Sequence, residues 1–260
     1  PNDKEGAMNL YLYSRNGQLI RKIGNNNTVI TDVYGINDAT GEVYYQAALP
    51  TPHDRKVFVS KKNGSVEELT KQEGCNQARF SGDFKYFLNT WSNYNTPFVF
   101  TIRDNQGKVL STPINNEKLK NKIANYDWAK RESFTFTTSE GIQLDGWMMK
   151  PLNFNPAKRY PVVLFQYSGP GSQQVINSWN AGSMGQGGAF DAYLAQYAII
   201  VVCVDGRGTG GREAAFEKAT YLQLGRLEAK DQVETALWLG KQSYVDKDKI
   251  GIWGWSFGGF

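Results

Sequence analysis

In Lys249-Ile-Gly-Ile-Trp-Gly-Trp-Ser-Phe-Gly-Gly259 an apolar run leads straight into a serine with a glycine two residues away on either side. Gly254, Ser256 and Gly258 form a Gly-x-Ser-x-Gly elbow, in which a strand turns sharply into a helix. A side chain at either glycine would collide with the neighbouring strand or helix, and the serine is left on a strained bend with its hydroxyl exposed. In a chain with 27 glycines the pattern alone is weak, because a Gly-rich turn can hold a serine by accident. Its surroundings decide the matter.

Working back from the elbow, strands alternate with helices. Strands are expected at Glu132 to Thr138, Gln143 to Lys150, Pro161 to Tyr167, Ala198 to Val204 and Ile250 to Trp255. The third and fourth are near-continuous Val/Ile/Leu runs, as strands buried on both faces of a mostly parallel sheet require. Helices are expected at Gly188 to Tyr197 and Leu227 to Gln242; in the second, Val233, Ala236, Leu237 and Gly240 recur at helical spacing. The elbow thus follows the fifth strand of an α/β series, the layout of an α/β-hydrolase domain from its start through the nucleophile. Ser256 is the candidate nucleophile. In this fold class one oxyanion donor is the backbone N–H after the nucleophile, here that of Phe257. The other comes from the loop after the third strand, here Gln166-Tyr-Ser-Gly-Pro-Gly171, through a backbone N–H or the Tyr167 hydroxyl. The bland alternative for Tyr167 is a strand-end ring packed over the sheet.

Before about Asp127 the pattern is different. Three hairpins share one plan, a strand, an Asn-Gly or Asn-Gln-Gly turn and a second strand, with turn glycines at Gly17, Gly64 and Gly107. Asn-Gly suits the positive φ angles of tight hairpins. A second unit, Thr40-Gly-Glu-Val-Tyr-Tyr and Ser81-Gly-Asp-Phe-Lys-Tyr, repeats at an offset of 41 residues. About four strands in a period of 40 to 50 residues indicate β-propeller blades rather than an irregular β-sandwich. Two to three blades fit, fewer than the roughly four to eight that close a propeller, so the array is expected to be incomplete. A short helix from Glu117 to Tyr126 ends the region. The expected division is residues 1–127, the C-terminal blades of a propeller, and 128–260, the N-terminal half of a hydrolase domain.

Other chemistries are disfavoured. Asp205-Gly-Arg-Gly-Thr-Gly-Gly211 contains Gly-x-Gly-x-x-Gly, yet a dinucleotide fold needs a second strand ending in an acid about 20 residues on. That region reads instead as the start of a helix, Arg226-Leu-Glu-Ala-Lys-Asp231. The 29 basic and 25 acidic residues leave a net charge of +4 without a basic stripe, which argues against nucleic acid as a partner. The longest apolar run, Tyr197 to Val204, is eight residues, far short of the roughly 20 that span a bilayer. Cys75, read as part of a turn, and Cys203, inside a strand, make neither a disulfide framework nor a zinc site. No metal or organic cofactor is expected. Residue 1 is Pro rather than Met and no signal peptide is visible, so the start reads as a processing site or a cut.

His53, in Leu49-Pro-Thr-Pro-His-Asp54, is the single histidine. In hydrolases of this class the acid and then the histidine follow the serine. His53 precedes it and reads as an exposed loop residue without a catalytic role, so the partner acid and histidine are expected outside these 260 residues.

Taken together, these motifs resemble the dipeptidyl peptidase IV family of bacterial serine peptidases, within the prolyl oligopeptidase group. The resemblance rests on Tyr167-Ser-Gly-Pro170, Ser172-Gln-Gln174, Val204-Asp-Gly-Arg-Gly-Thr-Gly-Gly211, Leu224-Gly225, Asp231-Gln232 and Ile250 to Gly259. It extends back through Thr31-Asp-Val-Tyr-Gly35 and Ser81-Gly-Asp83, and the Trp255 elbow favours the dipeptidyl peptidase branch over prolyl oligopeptidases; another peptidase of the same group, an oligopeptidase or acylaminoacyl peptidase, is the alternative. The family implies an eight-bladed propeller on a hydrolase domain, and release of Xaa-Pro or Xaa-Ala dipeptides from peptide N-termini. It further implies a periplasmic or secreted location and often a homodimer. By position it makes Ser256 the nucleophile, with the Tyr167 hydroxyl and the Phe257 N–H as the oxyanion hole. The family usually has Tyr where Phe257 stands, which leaves a backbone donor intact. A propeller piece serving only as an interaction module, with Ser256 vestigial, is the non-enzymatic alternative.

Overall fold

The computed structural model describes residues 1–24, 28–183 and 188–260. The first ten strands form antiparallel sheets. Strands β1 (Leu10–Tyr13) and β2 (Leu19–Ile23) make a hairpin. Strands β3 (Val29–Asn37), β4 (Glu42–Ala48), β5 (Lys56–Ser60) and β6 (Val66–Glu68) pair in sequence order. So do β7 (Cys75–Phe80), β8 (Tyr86–Asn93), β9 (Thr96–Asp104) and β10 (Val109–Ile114). The turn glycines Gly17, Gly64 and Gly107 all have φ between 82° and 91°, the reason glycine occupies these hairpins. Cys75 opens β7 opposite Ser92 rather than lying in a turn.

Period-two alternation turns these sheets into a stack. From β4 and β5, Val43, Tyr45, Ala47 and Phe58 pack toward the β1–β2 hairpin with Leu10, Ile23 and Ile30. The intervening Tyr44, Val57 and Val59 pack the other way, against Ala78 and Phe87. The Tyr34 hydroxyl accepts the Ala78 N–H at 3.1 Å, joining the two four-stranded sheets. Face-to-face four-stranded meanders of this kind are propeller blades.

After helix α1 (Glu117–Ala124), two residues shorter than expected, come β11 (Arg131–Thr137), β12 (Gln143–Met149), β13 (Tyr160–Gln166), helix α2 (Ala189–Gln196) and β14 (Ile200–Asp205). A short α3 (Ala214–Glu217), α4 (Arg226–Gly240) and β15 (Val245–Gly254) follow. The sheet order is β11-β12-β14-β13-β15, with β13 parallel to both β14 and β15. Along β14, Ile200, Val202 and Val204 enter the core shared with Leu239 of α4, and Val201 and Cys203 the core shared with Ala192 and Ala195 of α2. Burial on both faces explains the unbroken apolar run.

Helix α4 is present as the spacing implied, and its facing is set by polar residues. Its buried side is Glu228, Asp231, Gln232, Thr235 and Leu239, whereas Val233 and Leu237 are exposed. Polar anchoring sets the rotation: Asp231 accepts three N–H groups of Arg207, and Gln232 Nε2 donates to the Val204 carbonyl at 3.1 Å. Apolar periodicity alone could not reveal a facing set by a carboxylate.

Candidate active site

Strand β13 connects to β14 on one side, while β15 lies on its other side. The crevice between the carboxyl ends of β13 and β15 is therefore the topological switch point, where open α/β sheets bind ligands. Gln166 and Gly254 are register partners at this end, and the chain leaves them through two bends, at Ser168 and Ser256.

Ser256 has φ 54°, a left-handed conformation that is rare for a side-chain-bearing residue, and it opens a 3₁₀ turn, Ser256–Gly259. A Cβ on Gly254 would strike the Gly258 and Gln166 carbonyls, and one on Gly258 would strike the Gln166 carbonyl and crowd the Tyr167 Cα at 3.0 Å. Gln166 Nε2 donates to the Gly258 carbonyl and ties the end of β13 to the elbow. Ser256 itself is exposed. Phe257 is the second residue of the turn, where amides at a helix start lack intrahelical acceptors.

Tyr167 is half-buried, and its ring lies against Gly169, where a Cβ would meet the ring Cε1 at 2.6 Å. Tyr167 and Trp255, the neighbour of Ser256, line one cavity of about 420 Å³ with Phe165, Gln174 and Trp253. The structure thus brings Tyr167 to the elbow side of the crevice. Ser168, with φ 55° and 2% exposure, makes the bend that turns the chain here. Ser168 and Gln166 lie in the loop that the sequence singles out, but their roles were not legible there, because strain and a side-chain tie to a distant carbonyl leave no local pattern.

The Gly-rich loop after β14 has a packing role. The Gly171 N–H donates to the Gly208 carbonyl and the Gly210 N–H to the Ser172 carbonyl, both at 2.8 Å. A Cβ on Gly210 would press on the Gly171 carbonyl at 2.5 Å. These glycines let the loops after β13 and β14 zip together, and Asp231 holds Arg207 from below.

His53 corrects the sequence expectation. It is 8% exposed rather than exposed, and its Nε2 lies 3.3 Å from Asp145 Oδ2 on β12, within ion-pair reach but without hydrogen-bond alignment. Its loop is drawn in by the Asn177 N–H, which donates to the His53 carbonyl at 2.9 Å. Among the described residues no hydrogen bond joins His53 to Ser256. Burial alone would raise the Asp145 carboxyl, but His53, Thr135 and Arg212 beside it hold it below the ordinary aspartate range. Asp205, the register partner of Asp145, is instead pushed up to about 6 by burial, partly offset by the Val175 and Gln174 amides that it accepts. The sequence offered no sign of this cluster, since its members are far apart along the chain.

Among the described residues no helix is long and apolar enough to cross a membrane. Residues 2–98 match the dipeptidyl peptidase IV N-terminal region, and residues 190–260 the prolyl oligopeptidase family. The crystal structure of Porphyromonas gingivalis dipeptidyl peptidase 4 superposes with a TM-score of 0.91 at 38% identity, covering 99% of this chain and 36% of that one. Among curated sequences, dipeptidyl peptidase 4 of Trichophyton equinum is 31% identical over 266 residues, 99% of this chain and 33% of that protein. A protein of Coccidioides posadasii named "Probable dipeptidyl-aminopeptidase B" is 37% identical over 235 residues, 85% of this chain and 24% of its own length. The chain spans a quarter to a third of the curated relatives it matches. With blades ahead of a sheet that ends in a serine elbow, and these matches along both regions, the chain belongs to the dipeptidyl peptidase IV-like group of the prolyl oligopeptidase family.

Proposed function

We propose that Ser256 is the nucleophile of a serine exopeptidase that releases dipeptides, Xaa-Pro or Xaa-Ala, from peptide N-termini. The observation that carries this reading is the exposed serine at φ 54°, wedged between Gly254 and Gly258 at the switch point of the sheet. The serine oxygen attacks the carbonyl carbon after the second substrate residue, and its proton passes through a histidine to the departing amine. Water then hydrolyses the acyl-serine ester. The Tyr167 hydroxyl and the Phe257 N–H face the developing oxyanion, a role in which one donor is typically worth about 3–4 kcal/mol. The partner acid and histidine belong to parts of the protein outside these 260 residues. Residues 1–127 supply blades and 128–260 the first half of the hydrolase domain. The names of the relatives support the dipeptidyl specificity. A periplasmic or secreted homodimer is the extension that the family likeness favours, and light scattering of the full-length protein tests the dimer.

The direct test is a Gly-Pro reporter with the full-length protein and its Ser256→Ala variant, next to labelling by a fluorophosphonate. Loss of turnover by at least about 1,000-fold is expected, as for removal of a triad serine. Retained turnover would sink the assignment. A substrate with a blocked amine should be refused, and its ready cleavage would point to an oligopeptidase instead.

A further inference from the structure

A buried carboxylate that the proposed chemistry does not use holds the segment next to the oxyanion loop. Asp205, at the end of β14 and 7% exposed, accepts the Gln174 N–H at 2.9 Å and the Val175 N–H at 2.7 Å. It stands directly opposite Asp145 in the antiparallel β12–β14 pair. Like charges in that position are unfavourable. Asp145 is compensated by Arg212 Nη1 at 2.9 Å, whereas the bonds that reach Asp205 come from backbone amides. A hydrophobic residue at Asp205 would avoid the repulsion and the cost of burial, but it would leave the buried Val175 amide and the partly buried Gln174 amide without this acceptor.

Those amides belong to a segment gripped from both sides. On the far side, the loop between β4 and β5 takes hold of it. Gln173 Nε2 donates to the Pro52 carbonyl at 2.8 Å, Asn177 Nδ2 to Asp54 Oδ1 at 2.9 Å, and Arg55 to Gln173 Oε1. Upstream, the same segment continues within a few residues to the Ser168 bend and Tyr167. Gln174 also lines the cavity that Tyr167 and Trp255 share.

We infer that Asp205 is a positioning residue for the reaction proposed above, whose carboxylate, by fixing Gln174 and Val175, sets where the Tyr167 hydroxyl stands relative to Ser256. The blade loop carrying His53 backs the same segment from outside. This rests on the reading of Ser256 as nucleophile, and two readouts keep the ideas separable. Hydrogen exchange across residues 168–178 of the full-length protein reports the grip of Asp205 whatever the protein catalyses. Turnover of a Gly-Pro reporter reports its consequence.

In Asp205→Ala, exchange in 168–178 should rise at least about tenfold while α4 is unchanged. The kcat should fall by about 10- to 100-fold with KM within about threefold, the signature of a misplaced donor. Asp205→Asn keeps an acceptor oxygen and should recover both readouts to within about fivefold of the natural protein. Unchanged exchange in Asp205→Ala, a fall in kcat without faster exchange, or failure of Asn to recover either readout overturns the inference. If the Ala variant does not fold, Gln173→Ala releases the same segment from the blade side. Faster exchange with a fall in kcat supports the inference there, and no change in either overturns it. Should Ser256→Ala keep its turnover, the function fails while the exchange arm still judges the grip.

Discussion

The bend after β13 and the bend after β15 share a backbone conformation, φ 55° at Ser168 and 54° at Ser256, inside different surroundings. Ser168 is enclosed, its hydroxyl 3.4 Å from Gln232 Nε2 and its loop zipped to the loop after β14. Ser256 is open to solvent and is held by close backbone approaches around Gly254 and Gly258. A non-glycine residue in this region costs on the order of 1–3 kcal/mol and persists only where its neighbours over-determine it. In the first bend that expense goes into fixing a loop; in the second it goes into presenting a hydroxyl. The same conformation recurs away from the crevice, at Phe84, Asn116, Ala198 and Leu222, so strain by itself does not mark the site; exposure is what separates Ser256, the proposed nucleophile, from the enclosed Ser168.

The strongest way to break the contrast is Gly258→Ala. The new methyl group has no room between Gln166 and Tyr167, so fluorophosphonate labelling of Ser256 in the full-length protein should drop by about 100-fold or more. Undiminished labelling would mean the elbow is not built this way. Next comes Asp231→Ala, which strips Arg207 of its buried carboxylate under the enclosed bend. Arg207 is only partly buried and keeps Glu140 at 3.0 Å, so the loss is that of the charge-assisted hydrogen bonds, about 1.5–3 kcal/mol, which urea unfolding would register, and a change below about 1 kcal/mol would show that the pair carries little of the support.

An effect of similar size is expected from pH. Folding raises Asp205 from the ordinary 3.8 to about 6, so the native state keeps a proton that the unfolded chain has released. Its contribution is whole below about pH 4 and is lost as pH rises through 6, by about 2–3 kcal/mol. Asp145, which is lowered, works in the opposite sense and loses its contribution as pH falls. The charged and titratable groups influencing Asp205 or influenced by it are Asp145 and His53, with Arg55, Tyr94 and Cys203 feeling its charge; Arg212 sits in the same small cavity. Comparing unfolding of the natural protein and Asp205→Asn between pH 4 and 7.5 isolates the effect: the Asn variant should lack that decline, and parallel curves would refute it. Smallest is the relief of strain. Ser256→Gly should stabilise by about 1 kcal/mol, whereas Ser168→Gly should be near neutral because a contact to Gln232 is lost along with the strain. Equal gains at both sites would erase the distinction between the bends.

Much of this was legible from short stretches. The Asn-Gly hairpins, the apolar β14 and the elbow glycines follow from turn chemistry and from neighbours within a few residues. What could not be read locally shares a cause. Val233, Ala236 and Leu237 recur at helical spacing and so gave the helix, but not its facing: Asp231 and Gln232 set that by bonding to the loop and strand end at β14. His53 looked like an exposed loop residue, but contacts to residues more than ninety positions away buried it.

The amino-acid sequence by itself determined the order of blade-like and α/β elements, the serine elbow and the type of chemistry it permits, because periodicity and turn preferences are set locally. Only the tertiary structure decided which side of α4 is buried, that Gly206 to Gly211 is a loop-packing device, and that Asp145, Asp205 and His53 meet at one seam. Those outcomes depend on burial and on hydrogen bonds between distant segments, whose energies exist only once the sheets have closed around them.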